Sequence, residues 1–256
     1  MAGYNVGVGA SSSTFTGQHI QNRWFLCLGQ SNMVGQGIIS GADTTNADIY
    51  MLHSDDSVTE ALEPIENNDN ETSVRQGFLL AFGREYVENY TSSQCYFAMS
   101  AKSSTSFGAG EWVKGGDRYN SAVSTFNRAK AIWTDIPFGG ILWHQGESDC
   151  TPAYSDSYQE NLTQFVSDLR ADIGEPNAPF VAGQLADGWV DENNYRVNEP
   201  ILDRRKVQRV LRDVAKYIPN SVTVSALGLD QDNTHFYATG NREFGPRYYE
   251  AWKTLI

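Results

Sequence analysis

Short apolar runs alternate along the chain with longer stretches in which apolar residues recur every three or four positions. The first run, Trp24–Leu28, is continuously apolar, ends at a glycine and predicts a strand that is buried on both faces. Similar runs predict five more strands: Asp48–Leu52, Cys95–Met99, Gly140–Trp143, Phe180–Gly183 and Val222–Ala226. Helical spacing predicts five helices: Phe78–Tyr90, Tyr119–Trp133, Tyr154–Ile173, Ile201–Ile218 and Thr239–Leu255.

This order of elements predicts an α/β fold. Strands that alternate with helices form right-handed crossovers, which give a mostly parallel sheet with helices on both faces, that is, a three-layer α/β/α sandwich. Sites in such sheets form at the carboxyl ends of the strands. The acidic, Asn-rich segment Asp55–Thr72 has no clear periodicity and is predicted to be a surface loop. Residues 1–20, rich in Gly, Ser and Thr, are predicted to be a loosely ordered arm before one domain over residues 21–256.

Composition and charge narrow the classes of function. With 256 residues, of which 40% are hydrophobic, the chain can fill one sizeable core. A formal net charge of -12 disfavours nucleic acid and anionic membranes as partners, because both would repel it. The N-terminal segment does not show the pattern of a signal peptide, and no apolar run approaches about 20 residues, so we expect a soluble protein without a membrane span; export by another route or removal of a leader stays open. An extracellular or virus-particle location is compatible with this expectation.

The three cysteines, Cys27, Cys95 and Cys150, lie far apart and are odd in number. None of them belongs to a Cys-x-x-Cys pair, so neither a disulfide framework nor a zinc site is predicted. We expect three buried free thiols.

The first candidate for chemistry is Ser31, which follows the first predicted strand in the segment Leu28–Gly35. At the entry to a helical turn its hydroxyl would lie among unpaired backbone N–H groups, which favour a developing negative charge. A nucleophile suits this place. The alternative is that Ser31 is only the N-cap of a helix, a common position for serine.

The second candidate is the pair Asp232 and His235, three residues apart near the C-terminus. One turn of chain can bring both side chains to the same side, where the carboxylate would hold Nδ1–H and leave Nε2 free to accept a proton. The alternative is a solvated pair at the start of a helix. Because the chain has only four histidines, few residues can serve as a general base.

The third candidate is a dense polar cluster directly after the predicted strand Gly140–Trp143. Its polar residues each need a buried partner or water: His144, Gln145, Glu147, Ser148 and Asp149. A metal site on His144 and Glu147 lacks a third ligand, so no metal is predicted. Ser148 is a weaker nucleophile candidate, because the acids on either side of it discourage an alkoxide.

Three segments together resemble one family. Gly29–Met33, Trp143–Asp149 and Asp232–Phe236 look like the signature blocks of the SGNH-type carbohydrate esterases, in particular the group of sialate O-acetylesterases and plant-type acetyl xylan esterases. The resemblance runs in the family's order from Trp24 to Trp252. It implies a flavodoxin-like three-layer sandwich, the SGNH hydrolase fold, and hydrolysis of O-acetyl esters on sugars.

The resemblance also implies roles for single residues. Ser31 is then the nucleophile that forms an acetyl-serine, His235 the general base and acid, and Asp232 the carboxylate that orients it. The expected oxyanion hole consists of the N–H groups of Ser31 and Ser104 and the side-chain amide of Gln145. Further residues are expected to support the site or to bind substrate: Gln30, Asn32 and Glu147 as supports, and Trp112 as a substrate contact.

One block departs from the family pattern. Relatives usually show Gly-Gly-Thr-Ser after the third strand, where this chain has Ser103–Ser106. Ser104 keeps a backbone N–H, but a residue with a Cβ reaches positive φ only with strain. Loss of one oxyanion donor costs about 10²–10³ in rate, so the departure bears directly on turnover.

Two other readings remain open. One is a carbohydrate-binding module that keeps this fold without catalysis; the other is an esterase or thioesterase for lipids or acyl carriers. The aromatic residues Trp112, Tyr119 and Trp189 suit either a sugar face or an acyl channel. The expected partner is an acetylated carbohydrate. The sequence specifies neither the sugar nor the oligomeric state of the protein. No cofactor is expected, because a triad and an oxyanion hole complete the chemistry.

Overall fold

A seven-stranded sheet lies at the centre of the protein in a computed structural model, which describes residues 21–39, 46–68, 75–191 and 200–256. Its strands run in the order β4-β3-β6-β1-β7-β8-β9, and two short pairs, β2 with β5 and β10 with β11, lie outside it. The strands are β1 Arg23–Gly29, β2 Gly37–Ile38, β3 Ile49–Leu52, β4 Val58–Glu60, β5 Arg75–Gln76, β6 Cys95–Ala101, β7 Phe138–His144, β8 Phe180–Gly183, β9 Ser221–Val224, β10 Gln231–Asp232 and β11 His235–Phe236.

Helices cover both faces of this sheet. They are α1 Ser31–Val34, α2 Leu79–Asn89, α3 Asp117–Ile132, α4 Tyr158–Asp172, α5 Asp187–Asp191, α6 Ile201–Arg212 and α7 Ala238–Lys253, with single 3₁₀ turns at Glu147–Asp149 and Val214–Lys216. Helices α2 and α7 pack on each other on one face, and α3 and α4 contact each other on the other. The predicted three-layer sandwich with a mostly parallel sheet is confirmed.

Two neighbouring residues of β1 demonstrate why the strand is apolar without alternation. Trp24 packs on Phe126 of α3, while Phe25 packs on Phe82 of α2 and Trp252 of α7. Successive side chains of a strand point to opposite faces, so a strand covered by helices on both sides needs apolar residues at every position. All side chains from Trp24 to Leu28 are buried.

The central strands also align the ends that carry the site. In the parallel ladders Gly29 lies opposite both Ala101 of β6 and His144 of β7. Gly29 has φ +149°, and a Cβ there would lie 2.0 Å from the His144 carbonyl oxygen, so only glycine permits this close approach. The segments that follow β1, β6 and β7 therefore leave the sheet side by side.

The prediction of a surface loop over Asp55–Thr72 is partly wrong. The segment contains strand β4, which pairs antiparallel with β3 and forms one edge of the sheet. Asn67 also lies beside Met99, and its side-chain amide bonds the backbone of Ala101. Three residues are too few for a strand to stand out by periodicity, and tertiary pairing decides such edges. Residues 69–72 lie outside the described residues.

The predicted helices end at different residues in two places. Helix α4 was predicted to begin at Tyr154. It begins four residues later, at Tyr158, because residues 151–157 form turns. The helix predicted over Ile201–Ile218 ends at Arg212, and a separate 3₁₀ turn follows. Hydrophobic spacing continues through such turns, so the pattern alone does not mark the break.

Three further predictions concern the cysteines, the N-terminal arm and membrane-spanning helices. Cys27, Cys95 and Cys150 are buried free thiols, as predicted. The predicted arm over residues 1–20 lies outside the described residues. In the described part of the chain, no helix combines the length and the apolar character needed to cross a membrane.

Candidate active site

Ser31 is the first residue of α1, at the carboxyl end of β1. The N-cap position is Gln30, whose side chain makes no capping hydrogen bond, so the alternative of Ser31 as an N-cap serine is wrong. Ser31 is 7% exposed, and its hydroxyl oxygen lies within hydrogen-bond distance of His235. The four-residue helix thus presents the hydroxyl at the edge of the sheet where sites are expected.

His235 lies in the hairpin formed by β10 and β11. Its Nε2 is 3.0 Å from Ser31 Oγ, although 204 positions separate the two residues in the chain. The hairpin turns at Asn233, which has φ +50°, a conformation that asparagine tolerates better than most residues. The geometry is that of a hydroxyl beside an imidazole able to accept its proton.

Asp232 lies directly opposite His235 in the antiparallel register of this hairpin. The two residues therefore flank a β-turn and lie neither on a helical turn nor at a helix start. Side chains opposite each other in an antiparallel pair lie on the same face, with Cβ atoms about 5 Å apart. Asp232 is exposed, and among the described residues no hydrogen bond or ion pair joins its carboxylate to His235.

Ser104 adopts the backbone conformation that the glycine-to-serine change made doubtful. Its φ is +62°, in the left-handed region that favours glycine. Within the described part of the chain, neither the Ser104 N–H nor the Ser31 N–H has an acceptor. Two unpaired N–H groups thus follow the adjacent strands β6 and β1, where an oxyanion needs donors.

The turn that contains Ser104 is held at several points by its neighbours. Thr105 Oγ1 donates to the Lys102 carbonyl and accepts from Trp112 Nε1. The Ser106 N–H donates to Glu111 at 2.7 Å. A strained residue persists only where the surroundings determine its conformation, and these bonds supply that constraint.

Asp149 is the largest anchor of the same turn. Its buried carboxylate accepts the N–H groups of Phe107 and Gly108 at 3.1 and 3.0 Å, and the side-chain amide of Gln145 at 2.7 Å. Burial raises the pKa of Asp149 to about 6, against the opposing effect of these hydrogen bonds. At neutral pH the ionised carboxylate therefore joins the segment after β6 to the segment after β7.

Gln145 is fully buried, and its amide N–H groups face internal acceptors. Besides Asp149, Nε2 is 3.1 Å from the Thr105 carbonyl and 3.3 Å from Gln30 Oε1. This arrangement favours a bracing role for Gln145 over the direct oxyanion donor that the resemblance implied. Gln30 Oε1 in turn accepts the N–H groups of Gly146 and Ser148 at 3.4 Å.

Two of the supports predicted around Ser31, Asn32 and Glu147, belong to one buried network. Asn32 Nδ2 donates to Glu147 Oε1 at 2.7 Å, and His144 Nε2 lies 3.4 Å from the same oxygen. Burial raises the pKa of Glu147, but His144 and Asn32 outweigh that effect and hold the pKa below its ordinary value. Among the described residues no group of His, Cys, Asp or Glu is arranged to hold a metal ion.

Comparison with known proteins identifies the family to which this chain belongs. A family model described as carbohydrate esterase, sialic acid-specific acetylesterase, matches residues 21–254. The chain belongs to this family of carbohydrate esterases. A probable carbohydrate esterase of Arabidopsis thaliana is 24% identical over 252 residues, which cover 90% of each chain. The resemblance seen in the three sequence segments is confirmed.

Solved structures share the fold of this carbohydrate esterase. The X-ray structure of the Arabidopsis protein covers 91% of this chain and 98% of its own, with a TM-score of 0.77 and 24% identity. The match to the crystal structure of NanS covers 92% of this chain and 98% of NanS, with a TM-score of 0.75 and 14% identity. The match to a carbohydrate acetylesterase from Xanthomonas citri covers 91% of this chain and 56% of that protein, with a TM-score of 0.64 and 17% identity. The predicted SGNH-type hydrolase fold is confirmed.

Trp112, predicted to contact substrate in this carbohydrate esterase, lies in the core instead. It is fully buried, packs edge-on against Trp143 and donates its indole N–H to Thr105. Tyr119 and Trp189 are buried as well, so none of the three lines a sugar site or an acyl channel. Aromatic residues are easily misassigned from sequence, because a core position and a stacking surface use the same residue types.

The exposed aromatic residue next to the general-base candidate is Tyr237, which sequence reasoning missed. It follows His235 and Phe236, has an extended backbone and is 45% exposed. In an extended segment Tyr237 and His235 point to one side, while Phe236 points into the core. The sequence contains a signal for this arrangement, because the polar His235, the apolar Phe236 and the amphipathic Tyr237 alternate as in a strand with one buried face.

Proposed function

We propose that this protein is a serine esterase that hydrolyses O-acetyl esters on carbohydrates through an acetyl-serine intermediate. The observation that carries the proposal is the 3.0 Å separation of Ser31 Oγ and His235 Nε2 at the carboxyl edge of the sheet. Membership of a carbohydrate esterase family supports the substrate class. The unpaired N–H groups of Ser31 and Ser104 support acyl transfer, because they stabilise an oxyanion.

The proposed reaction has two halves. Ser31 Oγ attacks the acetyl carbonyl carbon while His235 Nε2 takes the hydroxyl proton. The oxyanion that forms accepts from the N–H groups of Ser31 and Ser104. When the carbonyl carbon–oxygen bond to the sugar breaks, His235 returns the proton to the leaving sugar oxygen, and acetyl-serine remains. Water then attacks that ester, His235 takes its proton, and acetate leaves as the proton returns to Ser31.

Asp232 is proposed to orient His235 during this cycle. As the cross-strand neighbour of His235, it lies on the face from which a carboxylate reaches Nδ1. For this role the exposed side chain has to turn toward the ring as the imidazolium forms. A carboxylate near Nδ1 stabilises that cation and fixes the tautomer with Nε2 free.

The proposed sugar contact is Tyr237, in place of Trp112. Its half-exposed ring lies two residues beyond His235, where it can stack on one face of a sugar whose acetyl group reaches Ser31. This position suits a ligand that is larger than the acetyl group itself. The proposal therefore assigns the acyl group to Ser31 and the carbohydrate to the surface that contains Tyr237.

The decisive experiment measures hydrolysis of p-nitrophenyl acetate, butyrate and octanoate by the wild-type protein and by Ser31→Ala. We expect rapid acetate cleavage that falls about 10⁴-fold or more in the variant. Acetate release from O-acetylated sialic acid and acetylated xylo-oligosaccharides then identifies the sugar. Equal inactivity of both proteins would favour a carbohydrate-binding module, and preference for octanoate would favour a lipid or acyl-carrier esterase.

A further inference from the structure

The general-base candidate lies on a half-buried hairpin in which, among the described residues, no hydrogen bond or ion pair joins Asp232 to His235. The hairpin consists of only two residue pairs, and short isolated hairpins are marginally stable in water. Yet productive proton transfer needs His235 Nε2 held near 3 Å from Ser31 Oγ. Another group has to fix the position of the His235 backbone.

The side chain of Asn32 bonds the backbone on both sides of His235. Its Nδ2 donates to the Thr234 carbonyl at 3.0 Å, and its Oδ1 accepts the Phe236 N–H at 3.3 Å. Asn32 is 2% exposed, so water does not compete effectively for these bonds. One amide group thus restrains the two peptide groups that flank the imidazole-bearing residue.

Glu147 fixes which way this amide faces. The second hydrogen on Asn32 Nδ2 goes to Glu147 Oε1 at 2.7 Å, and a reversed amide would put its oxygen against both a carboxylate and a carbonyl. Glu147 is itself 4% exposed and adjoins His144. The orientation needed to hold the hairpin is therefore the only one that satisfies all three groups.

We infer that Asn32 is a positioning residue that aligns the His235 hairpin with Ser31. Asn32 directly follows Ser31 in the chain, so a single residue couples the place of the nucleophile to the place of the base. The inference rests on the proposed function and goes beyond it, since it makes the residue after the nucleophile responsible for the geometry of the base. Glu147 acts one step further away, by orienting the amide of Asn32.

The test compares Asn32→Ala with Asn241→Ala. Asn241 is a matched control, because it is equally buried and its amide donates to the Gln76 carbonyl at 3.0 Å, outside the proposed machinery. The first measurement is hydrogen exchange at the Phe236 amide, which does not depend on activity. We expect exchange about tenfold faster or more in Asn32→Ala and unchanged exchange in the control.

The second measurement is the rate at which a fluorophosphonate labels Ser31, followed by intact-protein mass spectrometry. Misplacement of the base by about 1 Å costs up to about 10²-fold, so we expect labelling and acetate kcat to fall about 10- to 100-fold in Asn32→Ala with little change in KM. Glu147→Gln keeps an oxygen for the Asn32 amide and should retain most activity, whereas Glu147→Ala should behave like Asn32→Ala.

The outcomes separate this inference from the proposed function. Unchanged Phe236 exchange in Asn32→Ala overturns the inference, and so does wild-type labelling of Ser31 in that variant. A loss of labelling as large in Asn241→Ala as in Asn32→Ala also overturns it, because general destabilisation then explains both. A wild-type protein that the reagent leaves unlabelled overturns the proposed nucleophile, while the exchange experiment still decides whether Asn32 holds the hairpin.

Discussion

The two sides of the proposed active site are built differently. The nucleophile side, from Gln30 to Asn32, emerges from the central strand and is buried among the segments that follow β6 and β7. The base side is the small hairpin from Gln231 to Phe236, in which Asp232 is exposed and His235 half-buried. The core thus preorganises Ser31 and the N–H groups proposed as oxyanion donors, whereas the hairpin that carries His235 is held by hydrogen bonds from Asn32 and by the buried ring of Phe236.

This difference has a physical cause. Gly29 lies opposite both neighbouring strands, so the ladders of the sheet determine where Ser31 begins its turn. The hairpin has no such ladder with the main sheet, and its alignment with Ser31 comes from side chains. Restraints from a hydrogen-bonded sheet are cooperative, while a single side-chain hydrogen bond contributes only about 1 kcal/mol.

The largest expected effect on the comparison comes from Asp232→Asn. If the base side depends on Asp232 during turnover, kcat for acetate esters should fall about 10²-fold, since an amide stabilises the imidazolium less well than a carboxylate. KM should change little, and the thermal midpoint should hold because the side chain is exposed. Wild-type kcat in this variant would instead mean that Ser31 and His235 act without an orienting carboxylate.

Asp149→Asn tests the nucleophile side through stability. Burial raises the pKa of Asp149 from its ordinary 3.8 to about 6, so the folded protein binds this proton more tightly than the unfolded chain does. The resulting stabilisation is present below about pH 4 and is lost as the pH rises through about 6. The free energy of unfolding of the wild type, relative to the variant, should therefore fall by about 2 kcal/mol between pH 4 and pH 7.

The measurement for Asp149 is urea unfolding of both proteins across that pH range. An asparagine also places an NH₂ group where one of the donors from Phe107, Gly108 or Gln145 now points. We therefore expect about tenfold lower kcat as the Ser104 turn loosens. A pH-independent difference between the two proteins would contradict the raised pKa.

Tyr237→Ala tests whether the base side also binds the sugar. A stacked ring contributes about 1 kcal/mol, so KM for an acetylated oligosaccharide should rise about fivefold while kcat is retained. Ethyl acetate offers no ring to stack on and should be hydrolysed as by the wild type. Leu202→Ala removes a side chain that is 67% exposed on α6 and serves as the control; equal KM effects in both variants would count against a specific sugar contact.

The smallest effect is expected from Ser104→Gly. Glycine keeps the backbone N–H, so kcat should stay within about twofold of the wild type. Relief of the left-handed conformation at φ +62° should raise the free energy of unfolding by up to about 1 kcal/mol, reduced by the greater freedom of glycine in the unfolded chain. A large loss of kcat would assign a role to the serine hydroxyl instead of to its N–H group.

The periodicity of the chain was sufficient for most of the fold. The six predicted strands and five predicted helices all occur, because a parallel sheet covered on both faces demands continuous apolar strands and amphipathic helices. Strand β4, the short strand pairs β2–β5 and β10–β11, helix α5 and the break after Arg212 were not predicted. All of them are short, and in short elements tertiary contacts outweigh local preference.

The residue types of the candidate site could also be predicted from the sequence. Ser31 follows a predicted strand, Asp232 and His235 lie one turn of chain apart, and all three occur in the order of a known family. Only the folded chain decided how they meet. Sheet register puts Gly29 opposite Ala101 and His144, so the segments with Ser31, Ser104 and Gln145 leave the sheet side by side. Burial removes Trp112 from the substrate side, and the Asn32 amide reaches a hairpin 202 positions away in the chain. Local patterns encode which elements form, because they reflect single-residue preferences; distances between remote side chains follow from packing, which no local pattern contains.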